Sequence, residues 1–185
     1  MSADGEGIKR LMPKFPLNTL ESWLLSVTST RLLVTSLDTN QLIQFDAGGD
    51  ELRRIQVPDD VMPEHAVESA TGTFIISHRN TKLKHYQISE VNTDGRVLRQ
   101  FVGSRLPSLG WPQHIAVDSQ VNIFVADYQS RHILLLDAQL KLRRFIIDER
   151  QLNYELPRRL CYRERTGQLL VGLADSVAVF DVARR

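Results

Sequence analysis

Short apolar runs divided by polar turn clusters fill this chain, and they recur. Leu32-Leu33-Val34-Thr35, Phe74-Ile75-Ile76-Ser77, Phe124-Val125-Ala126-Asp127 and Leu169-Leu170-Val171-Gly172 begin 42, 50 and 45 residues apart. After each comes a second run, Leu42-Ile43-Gln44-Phe45, Leu83-Lys84-His85-Tyr86, Ile133-Leu134-Leu135-Leu136 and Val177-Ala178-Val179-Phe180. A third follows in three of the units, at Leu52-Arg53-Arg54-Ile55, Leu98-Arg99-Gln100-Phe101 and Leu142-Arg143-Arg144-Phe145, and the fourth unit ends before reaching it. A run also precedes each unit: Trp23 to Val27, His65-Ala66-Val67, Ile115-Ala116-Val117 and Leu160-Cys161-Tyr162.

Runs this short, rich in Val, Ile, Leu and Phe and bounded by Gly, Asp, Asn and Ser, predict strands rather than helices. Ala47-Gly48-Gly49-Asp50 and Asn92-Thr93-Asp94-Gly95 read as hairpin turns, with Gly supplying the positive φ. Pro63, Pro112 and Pro157 open the second to fourth units, where a residue without a donor belongs at a sheet edge. Four strands repeated at a period of about 45 residues define a β-propeller. The expected fold is therefore all-β, a partial propeller with four recognisable four-stranded blades at about 23–60, 63–104, 111–150 and 157–185. Residues 1–22 read as a linker or the remnant of a preceding blade.

The third unit narrows the class. Trp111-Pro112-Gln113-His114-Ile115-Ala116-Val117-Asp118, Ile123-Phe124-Val125-Ala126-Asp127 and Arg131-His132 to Asp137 together resemble the NHL repeat. That repeat is the blade of the six-bladed propellers of tripartite-motif and related proteins. The second unit departs from it at Ser77 and Glu68, and the first and fourth depart further, at Ser26-Val27 and Gly172. Six blades need about 270 residues, so the expectation is a fragment of a longer protein, or self-association to cover the open edges.

Composition adds exclusions. With 42% hydrophobic and 24% charged residues in 185, the chain is globular rather than disordered or coiled-coil. No run approaches the about 18 apolar residues of a membrane helix, no signal peptide is evident, and a cytoplasmic location with no membrane partner is expected. Cys161 is the only cysteine, which excludes an intrachain disulfide and a thiolate zinc site, and it reads as a small buried hydrophobe. Charge is uneven: residues 1–95 hold 9 Lys and Arg against 13 Asp and Glu, and residues 96–185 hold 14 against 9. The basic half is either an uneven solvated surface or a polyanion-binding face.

Candidate chemistry is sparse. The sequence has no Gly-x-Ser-x-Gly elbow, phosphate loop or zinc spacing. Asp46, Asp127, Asp137 and Asp181 end strands at matching positions and read as turn acceptors. The five histidines, His65, His78, His85, His114 and His132, read as surface or connection residues. Resemblance to propeller hydrolases and lyases raises a metal-dependent lactonase or esterase as an alternative, with His65, Glu68, His114, Asp118 and Arg159 as the inner-strand candidates. Two histidines without a carboxylate ring do not build such a site, so the chain is expected to be non-enzymatic and without a cofactor.

Binding is the leading expectation, because loops on a rigid scaffold carry function. One propeller face is made by the loops between second and third strands and by the blade-to-blade connections. There the sequence interleaves basic, amide and aromatic residues: Arg79, Asn80 and Lys82, then Arg105, Gln113 and His114, then Tyr128, Arg131 and His132, then Tyr154, Arg158 and Arg159. A protein partner is expected on this face. Single-stranded RNA is the alternative, with Arg and Lys for phosphates and Tyr128, Tyr154 or Trp111 for stacking. Resemblance to tripartite-motif proteins implies target recognition for a ubiquitin ligase, although one cysteine cannot build the RING and B-box of that family. Trp111 is expected to pack between blades. Arg53, Arg54, Arg99, Arg143 and Arg144 are expected to guard outer strand edges.

Overall fold

A computed structural model describes residues 23–28, 30–102 and 109–182. Among these, every regular element is a strand. The first sheet holds β1 (Trp23–Val27), β2 (Arg31–Ser36), β3 (Gln41–Asp46) and β4 (Glu51–Gln56). The second holds β5 (Val61–Glu68), β6 (Phe74–Asn80), β7 (His85–Val91) and β8 (Val97–Val102). The third holds β9 (Pro112–Val117), β10 (Ile123–Asp127), β11 (His132–Leu136) and β12 (Leu142–Ile147). In the fourth, β13 (Arg159–Arg163), β14 (Gln168–Gly172) and β15 (Val177–Asp181) form three described strands. Each sheet is an antiparallel meander in chain order, and the four are the blades of a β-propeller, as the repeats predict. The second inner strand opens at Val61, two residues ahead of its expected start. The segment 1–22 lies outside the described residues.

Period-two alternation explains the continuous apolar runs. Phe74 and Ile76 of β6 face the first blade, whereas Ile75 faces the third. Likewise Ile123 and Val125 of β10 pack toward the second blade, and Phe124 and Ala126 toward the fourth. A second strand is thus covered on both sides and has no polar face to show. The core is three such inter-blade layers. Outer strands are the reverse: β4, β8 and β12 are largely exposed, with Arg53, Arg54, Arg99, Arg143 and Arg144 on their surfaces as expected.

Side-chain caps set the hairpins. Between second and third strands, Ser36 accepts the Thr39 hydroxyl (2.7 Å), Asn80 accepts the N–H groups of Lys82 and Leu83 (3.1 and 2.8 Å), and Asp127 accepts that of Ser130 (3.3 Å). Each turn then passes through a left-handed residue: Asn40, Lys84 or Arg131, at φ 53°, 60° and 56°. Between third and fourth strands Asp46, Asn92 and Asp137 each accept the N–H groups two and four residues on. Asp46 and Asp137 are the turn acceptors the sequence predicts, whereas Asp181 instead accepts the Gln168 side chain across the sheet at 3.1 Å. Gly49 and Gly95 supply positive φ as expected. Gly95 also lets the second blade's hairpin touch the first: a Cβ there would lie 1.9 Å from the Gln56 carbonyl oxygen.

Cys161 corrects one expectation. It lies on β13 with its side chain exposed rather than buried, because its strand is an inner one and turns that face away from the inter-blade layer.

Candidate functional site

Two places gather polar and aromatic chemistry: the loop face and the cleft between inner strands. At the loop face, the buried carboxylate of Asp127 does the positioning. It accepts the N–H groups of Gly110 (2.8 Å) and Trp111 (2.9 Å) in addition to that of Ser130. Tyr128 N–H in turn donates to the Trp111 carbonyl at 2.8 Å. This clamp ties the entry of the third blade to the end of β10. No Cβ fits at Gly110, which would meet Asp127 Oδ1 at 2.6 Å.

The clamped indole organises an aromatic cluster. Trp111 stacks with Tyr86 of the second blade at 6.3 Å between centroids, and Tyr128 meets it edge-on at 5.5 Å. Arg158 from the connection into the fourth blade lies over the Tyr128 ring at 5.9 Å, cation–π distance. Trp111 therefore packs between blades as expected. Glu64 sits behind this cluster. Burial pushes its carboxyl up, against the pull of the Trp111 side chain and the Arg79 guanidinium, and burial with the Glu64 charge raises Tyr86 in the same way.

In the cleft, β1, β5, β9 and β13 lie side by side and line a volume of about 860 Å³. His65 and His114 stack here, with centroids 3.7 Å apart and planes 21° from parallel. Each ring reaches the next blade: Ile115 N–H donates to His65 Nδ1 and Leu160 N–H to His114 Nδ1, both at 3.3 Å. His65, His114 and Arg159 occupy the same register, one residue before Ala66, Ile115 and Leu160, whose partners on the second strands are Ile76, Val125 and Val171. With Nδ1 accepting, the network assigns the proton of each neutral ring to Nε2. Burial, then the Arg159 charge, brings His114 down to about 4. His65 is held well below the ordinary value by burial, then by His114 and Arg159, with the Leu25 backbone opposing.

These positions correct the reading of the histidines as surface residues. His65 is 1% exposed and His78 is fully buried, bonded through Nε2 to Ser89 Oγ at 2.7 Å. Their alternation in the sequence matched strand interiors, but the polar side chain masked it. The inner-strand set does not fit a divalent cation. Glu68 is taken by Arg31 and Gln44, each at 2.7 Å, and Asp118 by Gln120, Asn122 N–H and the Asn122 amide. Arg159 is itself a cation. Among the described residues no group of three His, Cys, Asp or Glu side chains could hold a metal ion.

The predicted binding residues divide between these places. Tyr128 meets Trp111, Arg158 lies over Tyr128, the Arg79 charge acts on Glu64 and Tyr86, and Arg131 stands at the left-handed position of the β10–β11 turn. Tyr154 is 58% exposed, Lys82 reaches Asp60 at 3.7 Å, and His132 meets Phe145 edge-on at 5.4 Å. Asn80 is 5% exposed and spends its oxygen on its own turn. Gln113 is half-buried on β9, next to His114. His114 and Arg159 belong to the cleft, and Arg105 lies outside the described residues. Tyr86 and Glu64 escaped the sequence reading because each is a strand residue beside a loop rather than in one. The repeat register of the strands is the signal that places them.

Comparison with known proteins supports the fold. No family model and no curated protein matches the chain. Among solved structures, a virginiamycin B lyase from Staphylococcus aureus superposes with a TM-score of 0.60 at 15% identity, over 91% of this chain and 58% of that one. A gluconolactonase from Xanthomonas campestris gives 0.60 at 12% identity, over 84% and 55%. A streptogramin B lyase gives 0.59 at 16%, over 85% and 53%. This chain thus spans just over half the length of these structures. Propeller architecture is shared, and it is consistent with an interaction module. The expectation of a non-enzymatic chain is corrected: structures with this fold are named lyases and a lactonase, so the fold and the thin set of catalytic residues do not set the chain apart from enzymes.

Proposed function

We propose that this chain is an NHL-type propeller whose loop face binds an acidic segment of a protein partner. One observation carries the reading: Trp111 is clamped by Asp127 and packed against Tyr86 and Tyr128, with the Arg158 guanidinium over the Tyr128 ring and the Arg79 charge acting on Tyr86. Rigid aromatic side chains beside Arg are the composition of binding hot spots. The NHL resemblance of residues 111–146 supports the same face. Among the described residues the salt-bridging carboxylates Glu51, Glu68, Glu90 and Asp137 stand away from the cluster, and Asp60 on the same face reaches Lys82 rather than Arg79 or Arg158.

Selection from a displayed random-peptide library tests this. Peptides carrying Asp or Glu beside an apolar anchor are expected, with affinity about tenfold weaker for Arg158→Glu, or about 1.4 kcal/mol. Binding of a single-stranded oligouridylate that is lost in the same variant, with no peptide selected, would favour RNA instead.

A further inference from the structure

We propose that the edge of β15 takes the segment Ile8–Leu11 of a second copy of this chain as the fourth strand of the last blade. No residue of the loop face takes part, so either proposal can fail without the other.

Three blades have a fourth strand, and the last has none among the described residues. There β15 pairs with β14 alone, whereas β3, β7 and β11 are each paired on both sides. Proteins blunt such an edge with Lys, Pro, a bulge or an inward charge. β15, Val177-Ala178-Val179-Phe180-Asp181, carries no Lys or Pro, its register with β14 is unbroken, and Val177 and Val179 are 62% and 55% exposed. Between β15 and β12 of the third blade lies a gap of about 290 Å³, lined in part by Phe145, Ile147, Phe180 and Val182. An added strand has room there.

The chain carries one more copy of the fourth-strand motif. Leu52-Arg53-Arg54-Ile55, Leu98-Arg99-Gln100-Phe101 and Leu142-Arg143-Arg144-Phe145 each set a basic and a second polar residue between two apolar ones. Ile8-Lys9-Arg10-Leu11 does the same, 44 residues ahead of Leu52, and Leu98 stands 44 residues ahead of Leu142. Ile8 precedes β1 by 15 residues, as Leu98 precedes β9 by 14 and Leu142 precedes β13 by 17. By that spacing the segment belongs to the outer edge of whichever blade packs ahead of β1.

The other blades set its register. Leu42 meets Ile55 and Gln44 meets Arg53 in the first, and Ile88 meets Phe101 and Glu90 meets Arg99 in the second. Val179 faces Leu170 as Gln44 faces Leu33 and Glu90 faces Ile75. Lys9 therefore falls opposite Val179, and Leu11 opposite Val177. Ile55 and Phe101 pack into the layer with the next blade, and Leu11 in the same place covers the apolar face that Val177 exposes.

A second copy is the one placed to give this strand. Apolar layers join the first blade to the second, the second to the third and the third to the fourth, and among the described residues none joins the fourth to the first. The segment leads into β1, three blades from β15 of its own chain. A copy whose first blade stands against the fourth blade of its partner brings it to that edge. Charge favours the meeting: residues 23–60 hold three Lys and Arg against six Asp and Glu, and residues 157–185 hold six against three. Two copies related by a two-fold axis each give and receive a strand, and their blades close a ring of eight.

Sedimentation velocity of the 185-residue chain over a range of concentrations tests the exchange. A dimer that weakens as salt rises is expected. Leu11→Asp, which sets a charge in the new apolar layer, should weaken it at least about tenfold, whereas Leu11→Ile should leave it in place. The position of the strand is read separately, in a Cys161→Ser background, from Lys9→Cys combined with Val179→Cys. Mild oxidation should then join chains in pairs by disulfides between copies. A chain that stays monomeric at every concentration, or a disulfide formed within one chain, overturns the proposal. So does a dimer that Leu11→Asp leaves unchanged.

Discussion

At the scale of single residues, the molecule is governed by polar side chains inside a β fold. His78 shows the consequence most plainly. It is fully buried, its Nδ1 has no hydrogen bond, and burial lowers it to about 4 from an ordinary value near 6.5. Between those values the unfolded chain takes up a proton that the folded chain refuses, so stability falls as pH falls through this window. The loss from His78 approaches about 3 kcal/mol at the acid end. Urea midpoints should therefore drop between about pH 7 and pH 5, and His78→Gln, which can still bond Ser89, should flatten the drop. An unchanged pH slope in that variant would refute this account. His65 and His114 act in the same direction. Strain is a second residue-level feature: Val121 adopts φ 61° in the turn that its counterpart Gly72 makes at φ 78°, and a β-branched residue there is costly.

At the scale of elements, the clamp at Asp127 joins fold and site. One buried carboxylate holds three N–H groups from two segments and so fixes Trp111. Hydrogen bonds to a charged group contribute about 1.5–3 kcal/mol each. Asp127→Ala is expected to destabilise the chain by about 3 kcal/mol or more in urea unfolding and to broaden the indole resonance of Trp111; native stability in this variant would show that the clamp is not needed. Strand periodicity made the blades legible in the sequence, because the second strands of the two middle blades are buried on both faces and stand out as apolar runs. The Asp and Gly hairpins were legible for the same local reason. The histidine stack was not, since it depends on which residue of one blade meets the next. Cys161 misled because inner strands have only one packed face, and its side chain points to the other.

At the scale of the whole molecule, the blades are joined by layers of apolar contact and by a few polar bridges, of which Arg31 to Glu68 spans the first two blades at 2.7 Å. The first and fourth blades keep exposed apolar residues, Leu25 and Val27 on β1, where they line the cleft, and Val177 and Val179 on β15. Between them the loop face gathers connections from successive blades, so a ligand there touches several blades at once. The central claim is that this face, rather than the opposite hairpins, recognises the partner. Hydrogen–deuterium exchange of the chain with and without a selected acidic peptide tests it most directly. Protection is predicted at residues 109–114, 128–131 and 154–158, with the hairpins at 47–50 and 137–141 unchanged. Protection confined to those hairpins, or none at 109–114 and 128–131, would contradict it.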